Sequence, residues 1–164
     1  MVFGVCLIAF VLALRERTRT DAPVATTLAS GLGLIWAGSL VASGMVANAG
    51  LPLALGLYEK DPAQAALTWS QIEAVASGLG NGNCEILGGL MTLLFGVAEL
   101  KSSAQPRLIG VLGILVGLVG VASLAPGFSD LAGVFGLGQG AWFVWLAIVM
   151  IGTRAGAASA PVRG

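Results

Sequence analysis

The chain has 164 residues, of which 57% are hydrophobic and only 10% are charged, and its mean hydropathy is +0.94. So little polar material cannot coat a soluble globule, whereas a lipid bilayer suits this composition. Eight basic and eight acidic residues give no net charge, which excludes the strongly basic surface of a nucleic-acid-binding protein.

Five apolar stretches predict an all-α, polytopic bundle of transmembrane helices. They cover residues 1–14, 26–50, 73–98, 107–125 and 133–152. The first stretch is shorter than the ~20 residues that cross about 30 Å of hydrocarbon, so we expect one short span. Pro52 is expected to kink or end the second helix near Asn48. Residues 58–71 are expected to be a polar connection, and residues 154–164 a disordered cytoplasmic tail.

The basic residues predict how the bundle is oriented. With five spans, seven of the eight Lys and Arg residues fall on one side, namely Arg15, Arg17, Arg19, Lys101, Arg107, Arg154 and Arg163. By the positive-inside rule this side is cytoplasmic. We therefore expect a multi-pass protein of the inner (plasma) membrane, with the lipid bilayer as its partner and with a cytoplasmic carboxyl terminus.

The third span carries polar residues at its middle. Asn81, Asn83 and Glu85 lie there, and a carboxylate at that depth costs roughly 2.5 kcal/mol or more unless it faces protein or water. Counting along the helices places Gln139 of the fifth span and Asn48 at the end of the second span in the same outer half of the membrane. We expect these five residues to form an intramembrane polar cluster.

Small residues predict which helices pack together. At helical spacing, Gly78, Gly82 and Gly89 fall on the polar side of the third span, and Gly113 and Gly117 form a ridge on the fourth. Glycines spaced in this way let two helices approach closely, so we expect the third and fourth spans to pack tightly. A pore lining is the alternative interpretation of the ridge.

Two functions fit these features. The first is a structural or complex-forming membrane component, which packs with itself or with a larger complex and uses the polar residues as interhelical hydrogen bonds. The second is a small proton- or cation-coupled carrier or channel. Because no Lys or Arg lies within the deep spans, Glu85 is expected to be protonated, and it would exchange its proton or bind a cation where water reaches it.

An enzyme is not expected. A catalytic site needs a nucleophile beside a base, or a metal cluster, and the sequence offers neither. It contains no histidine, the commonest metal ligand and general base, and its two cysteines are far apart. We therefore expect no metal and no cofactor.

Several segments, taken together, resemble one group of bacterial membrane proteins. They are GLIWAGSLVASGMVANAGL, KDPAQAALTW, GLGNGNCEILGGL and VFGLGQGAWFVWLAIVMIG, and the similarity covers residues 8–152. The group consists of uncharacterised multi-pass proteins with a domain of unknown function. The resemblance implies one more hydrophobic segment before the first span, and hence six crossings. It implies no activity and no catalytic or binding residue.

Overall fold

The computed structural model describes residues 1–81, 84–102, 106–128 and 130–158, with side chains except at residues 81, 84 and 153–158. These ranges are all-helical and contain no strand. The helices α1 to α6 are Val2–Thr18, Pro23–Tyr58, Pro62–Ala76, Cys84–Lys101, Arg107–Ala122 and Leu131–Ala158. Three segments are long and apolar enough to cross a membrane, namely Pro23–Tyr58, Pro62–Lys101 and Leu131–Gly152.

The helices pack antiparallel. Thr26 near the start of α2 donates a hydrogen bond to Thr18 at the end of α1 (2.9 Å), and Gly4 near the start of α1 faces Val41 further along α2. Helix α4 runs antiparallel to α2, α5 runs antiparallel to α4, and α6 runs antiparallel to α5. The last turns of α1 and α4 therefore meet the first turns of α2 and α5. We call this the basic end, because it carries Arg15, Arg17, Arg19, Lys101 and Arg107.

The core lies where α1, α2, α4, α5 and α6 meet. Its largest fully buried apolar side chains are Trp142, Phe95, Leu14, Met91, Ile109 and Leu146. The outer surface stays apolar as well: Leu137 is 82% exposed and Val24 is 73% exposed. A bundle that is apolar outside as well as inside suits a lipid environment.

The third predicted span, residues 73–98, lies within the membrane-length segment Pro62–Lys101, which has a kink at Gly80. Helix α3 ends at Ala76, a turn of π-helix covers Ser77–Asn81, and α4 begins at Cys84. Gly80 has non-helical backbone angles (φ 170°, ψ −16°). Each glycine costs a helix about 1 kcal/mol relative to alanine, and Gly78 and Gly80 both lie in this turn, so the helix is weak where it kinks. Glu85 consequently lies in the first turn of a helix, not in the middle of one.

Helix α2 is longer than predicted, since it continues through Pro52 to Tyr58. A proline inside a helix removes one hydrogen bond and costs roughly 3 kcal/mol, which neighbouring helices can offset. Here α3 packs along this half of α2. The Ser43 hydroxyl donates to the Ala76 carbonyl (2.8 Å), and Gly50 leaves room for the side chain of Ile72.

Helix α3 was expected to be mostly a polar connection. Its start is fixed by Asp61, whose carboxylate accepts hydrogen bonds from the backbone N–H groups of Ala63 and Gln64 (both 3.0 Å), and by Pro62 in the first turn. Helix α6 also runs further than predicted, to Ala158, because the alanine-rich sequence that was expected to be disordered has high helix propensity. Residues 159–164 lie outside the described ranges.

Candidate functional site: the Glu85 cavity

A cavity of about 260 Å³ opens between α1, α2, α4 and α6 beside Glu85. Helix α6 supplies most of the wall, at the helical spacing that places residues on one face. The lining residues are Phe3, Trp36, Glu85, Ala132, Phe135, Gly136, Gln139, Gly140 and Phe143. We call this space the Glu85 cavity. It unites Glu85 and Gln139, which the sequence analysis placed in one polar cluster.

The back of the cavity is shaped by Gly88, one turn after Glu85. A Cβ atom at this position would lie 3.2 Å from Gln139 Oε1, from the ring of Phe135 and from the ring of Trp36. The missing side chain thus lets three larger side chains converge on α4. By contrast, Gly136 and Gly140 have no atom within 4 Å of such a Cβ, so they leave the other wall open.

Gln139 is held in place by a hydrogen bond between helices. Its Nε2 donates to Thr92 Oγ1 (2.9 Å), and both side chains are buried. Trp36 is 4% exposed, and its buried indole N–H has no hydrogen-bond partner among the described residues. A buried N–H group without a hydrogen bond costs free energy, so the packing of the Trp36 ring must outweigh this cost.

The electrostatic setting of Glu85 is simple. The side chain is half-buried, and no Lys or Arg is among the described residues that line its cavity. Glu85 lies in the first turn of α4, where the positive end of the helix dipole favours a negative charge. No Lys or Arg side chain among the described lining residues therefore competes with an incoming cation for the Glu85 carboxyl group.

The cavity is closed toward the basic end. Below it lie Met91, Phe95, Trp142 and Leu146, each 0% exposed. The Trp142 indole donates to the Ile109 carbonyl (3.1 Å), which fixes this large ring across the bundle. These side chains form an apolar plug, and a charged solute could not pass through it without rearrangement.

Beyond the plug lies a buried carboxyl group that the sequence analysis did not single out, near the end of α4. Glu99 is 1% exposed, and neither of its carboxyl oxygens has a hydrogen-bond partner among the described residues. Glu85, Thr92 and Glu99 are spaced seven residues apart, so all three lie on one face of α4. This seven-residue spacing is visible in the sequence, so the polar face of α4 could have been predicted as far as Glu99.

Not every predicted residue joins the cavity. Asn48 is exposed on the second half of α2 and is not among the lining residues. The predictions for the side chain of Asn81 and for Asn83 and Gly82 lie outside the described residues. Gly78 does not pack against a helix, since no atom lies within 4 Å of a Cβ built on it.

The remaining predicted glycines lie where α4 meets α5. A Cβ at Gly89 would approach the Gly117 carbonyl oxygen to 3.1 Å, and one at Gly117 would lie 2.5 Å from the backbone nitrogen of Leu93. Gly113 faces Gly96 on one side and the Trp142 ring on the other. The two backbones are thus in direct contact, and this contact holds α4 in register beside the cavity.

Within the described residues, no three His, Cys, Asp or Glu side chains are grouped closely enough to hold a metal ion. Comparisons with protein-family models, with curated proteins and with solved structures found no match for this chain.

Proposed function

We propose that this chain is a non-enzymatic, multi-pass membrane protein that works as a small proton- or cation-coupled carrier, with Glu85 as the coupling group. The observation that supports this most directly is that Glu85 lines an open cavity together with Gln139. Carboxyl groups inside membrane proteins that face a cavity commonly serve proton or cation pathways.

A carrier fits the closed side of the cavity better than a channel does. A channel needs a continuous polar path, whereas the apolar plug of Met91, Phe95, Trp142 and Leu146 separates Glu85 from the basic end. A carrier exposes its site to one side at a time, and it is closed toward the other side in any one state. The thin contact between α1 and α6, made mainly by aromatic rings, is where such a rearrangement would meet least resistance.

The distribution of the basic residues gives the expected placement in the membrane. The basic end gathers five of the eight basic residues, and we propose that it faces the cytoplasm of a bacterial cell, with five crossings and a cytoplasmic carboxyl terminus.

The second candidate is a structural or complex-forming membrane component. It is favoured by the backbone contact between α4 and α5 and by the Gln139–Thr92 hydrogen bond, which are features of a rigid bundle. In that case Glu85 would stabilise the fold, or an association of this chain with itself or with a larger complex. The protein would then transport no solute.

Flux through reconstituted protein separates the two candidates. Purified protein is reconstituted into liposomes that contain a pH-sensitive dye, and proton movement is followed after a gradient of K⁺, of Na⁺ or of an organic ammonium ion is applied. We expect Glu85→Gln to abolish the flux while the protein stays folded. The matched control is Glu73→Gln, which changes an exposed carboxyl group on α3 away from the cavity.

If Glu85→Gln leaves the flux at the level of the control, or if the unaltered protein carries no flux, the carrier is excluded. A change confined to the unfolding free energy or to the oligomeric state would then identify the structural component.

A further inference from the structure

We infer that the Glu85 cavity binds an amphipathic organic cation, with its ammonium head between aromatic rings beside Glu85 and its hydrocarbon tail in the groove between α1 and α6. This inference rests on the proposed function, because it names the class of solute that the cavity would take.

The first argument is the chemistry of the cavity wall. Four aromatic side chains, Phe3, Trp36, Phe135 and Phe143, line the same space as the Glu85 carboxyl group. Aromatic ring faces attract cations, tryptophan most strongly, and recognition of quaternary ammonium groups by clustered rings is the common use of this effect. A bare metal ion would instead need several oxygen ligands, which this wall does not supply.

The second argument is that the cavity does not stand alone. An apolar groove of about 260 Å³ continues from it along α1 and α6, and Phe3 and Phe143 line both spaces. The remaining groove residues are Cys6, Leu7, Phe10, Val144 and Ala147, none of which is charged. A ligand that fills both spaces must therefore be charged at one end and apolar at the other.

The third argument concerns access. Phe3 is 51% exposed, and Gly136 and Gly140 are exposed on α6, so the cavity opens on the side of the bundle. Molecules with one charged and one apolar end concentrate at the membrane surface, where their tails enter the hydrocarbon. A lateral opening suits a solute that arrives from the bilayer.

Binding of defined ligands tests the inference. The full chain in lipid nanodiscs is titrated by calorimetry with tetramethylammonium, hexyltrimethylammonium and neutral hexanol, and empty nanodiscs correct for partition into lipid. We expect hexyltrimethylammonium to bind about tenfold or more tightly than tetramethylammonium, because its tail adds buried apolar surface. Hexanol is expected to show no saturable binding.

Three substitutions assign the parts of the site. Glu85→Gln should weaken binding of hexyltrimethylammonium by about tenfold or more, because a charge-assisted contact is lost. Phe3→Leu keeps an apolar side chain but removes a ring, and it should weaken binding by roughly threefold to thirtyfold. Gly140→Ala adds a methyl group to the cavity wall and should also weaken binding. Its control, Gly133→Ala, adds the same group on α6 outside the cavity, with equally free space, and should not.

The outcomes distinguish this inference from the proposed function. If neither ammonium ion binds while Glu85-dependent flux persists, the organic cation is wrong and the carrier stands. If hexanol binds as tightly as hexyltrimethylammonium, or if Phe3→Leu and Gly140→Ala bind like Gly133→Ala, the site is only a lipid-filled groove and the inference is overturned. Should Glu85→Gln fail to fold, the Phe3 and Gly140 variants still decide the question.

Discussion

Adding a methyl group at Gly117 is the sharpest test of how the bundle is held together. In Gly117→Ala the new Cβ would lie 2.5 Å from the Leu93 backbone nitrogen and 2.7 Å from the Gly89 carbonyl oxygen. Ordinary van der Waals contact requires about 3.4 Å or more, and a backbone atom cannot rotate away as a side chain can. Helices α4 and α5 must therefore separate.

The expected loss of stability follows from two opposing terms. Overpacking costs about 1–3 kcal/mol, and the upper value applies because both opposing atoms are backbone. Replacing glycine by alanine in a helix returns up to about 1 kcal/mol. We expect Gly117→Ala to lower the free energy of unfolding by about 2 kcal/mol.

The measurement is reversible unfolding by sodium dodecyl sulfate in mixed micelles, followed by circular dichroism. The control is Gly38→Ala in α2, where no atom lies within 4 Å of the new Cβ, so only the helix-propensity gain applies. Equal unfolding free energies for the two variants would refute the close contact of α4 with α5.

Three further predictions concern polar groups and topology. Glu99→Met should raise the free energy of unfolding by about 1–3 kcal/mol, because the desolvation of this buried carboxyl group, whose oxygens have no hydrogen-bond partner among the described residues, outweighs its attraction to Arg17. A lower unfolding free energy in detergent titrations would contradict this. A double-mutant cycle of Gln139→Leu and Thr92→Val should give a coupling energy of about 0.6 kcal/mol, and additive effects would show that the bond contributes nothing. Single cysteines at Ala63 and Thr20, in a background without the native cysteines, should react with a membrane-impermeant maleimide from opposite sides, and labelling from the same side would overturn the topology.

Much of the helical framework can be predicted from the sequence, because its signals are local. Long apolar runs predict the helices, and the spacing of Gly113 and Gly117 predicts a surface that another backbone can approach. That Glu85 and Gln139 fall in the same half of the bundle also follows from counting residues, because both lie on helices that run toward the basic end.

The departures come from contacts between distant segments. Pro52 alone predicts a helix end, but α3 packs along that part of α2 and the helix continues. At Gly80 the glycines weaken the helix locally, but the close approach of the Ser39 backbone, 3.1 Å from a Cβ built there, is not visible in the local pattern. The aromatic wall was missed for the same reason: Phe3 and Phe143 are more than a hundred residues apart and meet only in the folded chain.

The length of α2 makes the two faces of this protein unequal. A helix of 36 residues is about 54 Å long, while the hydrocarbon layer is about 30 Å thick. Even at a tilt of 40°, the steepest that transmembrane helices usually adopt, it would cover about 41 Å of the membrane normal. In the proposed placement its first turn lies at the basic end, so the surplus would extend from the opposite side, where α3 folds back along it. The end of the bundle opposite the basic end thus carries a projection of two antiparallel helices, with Tyr58 and Asp61 at its tip.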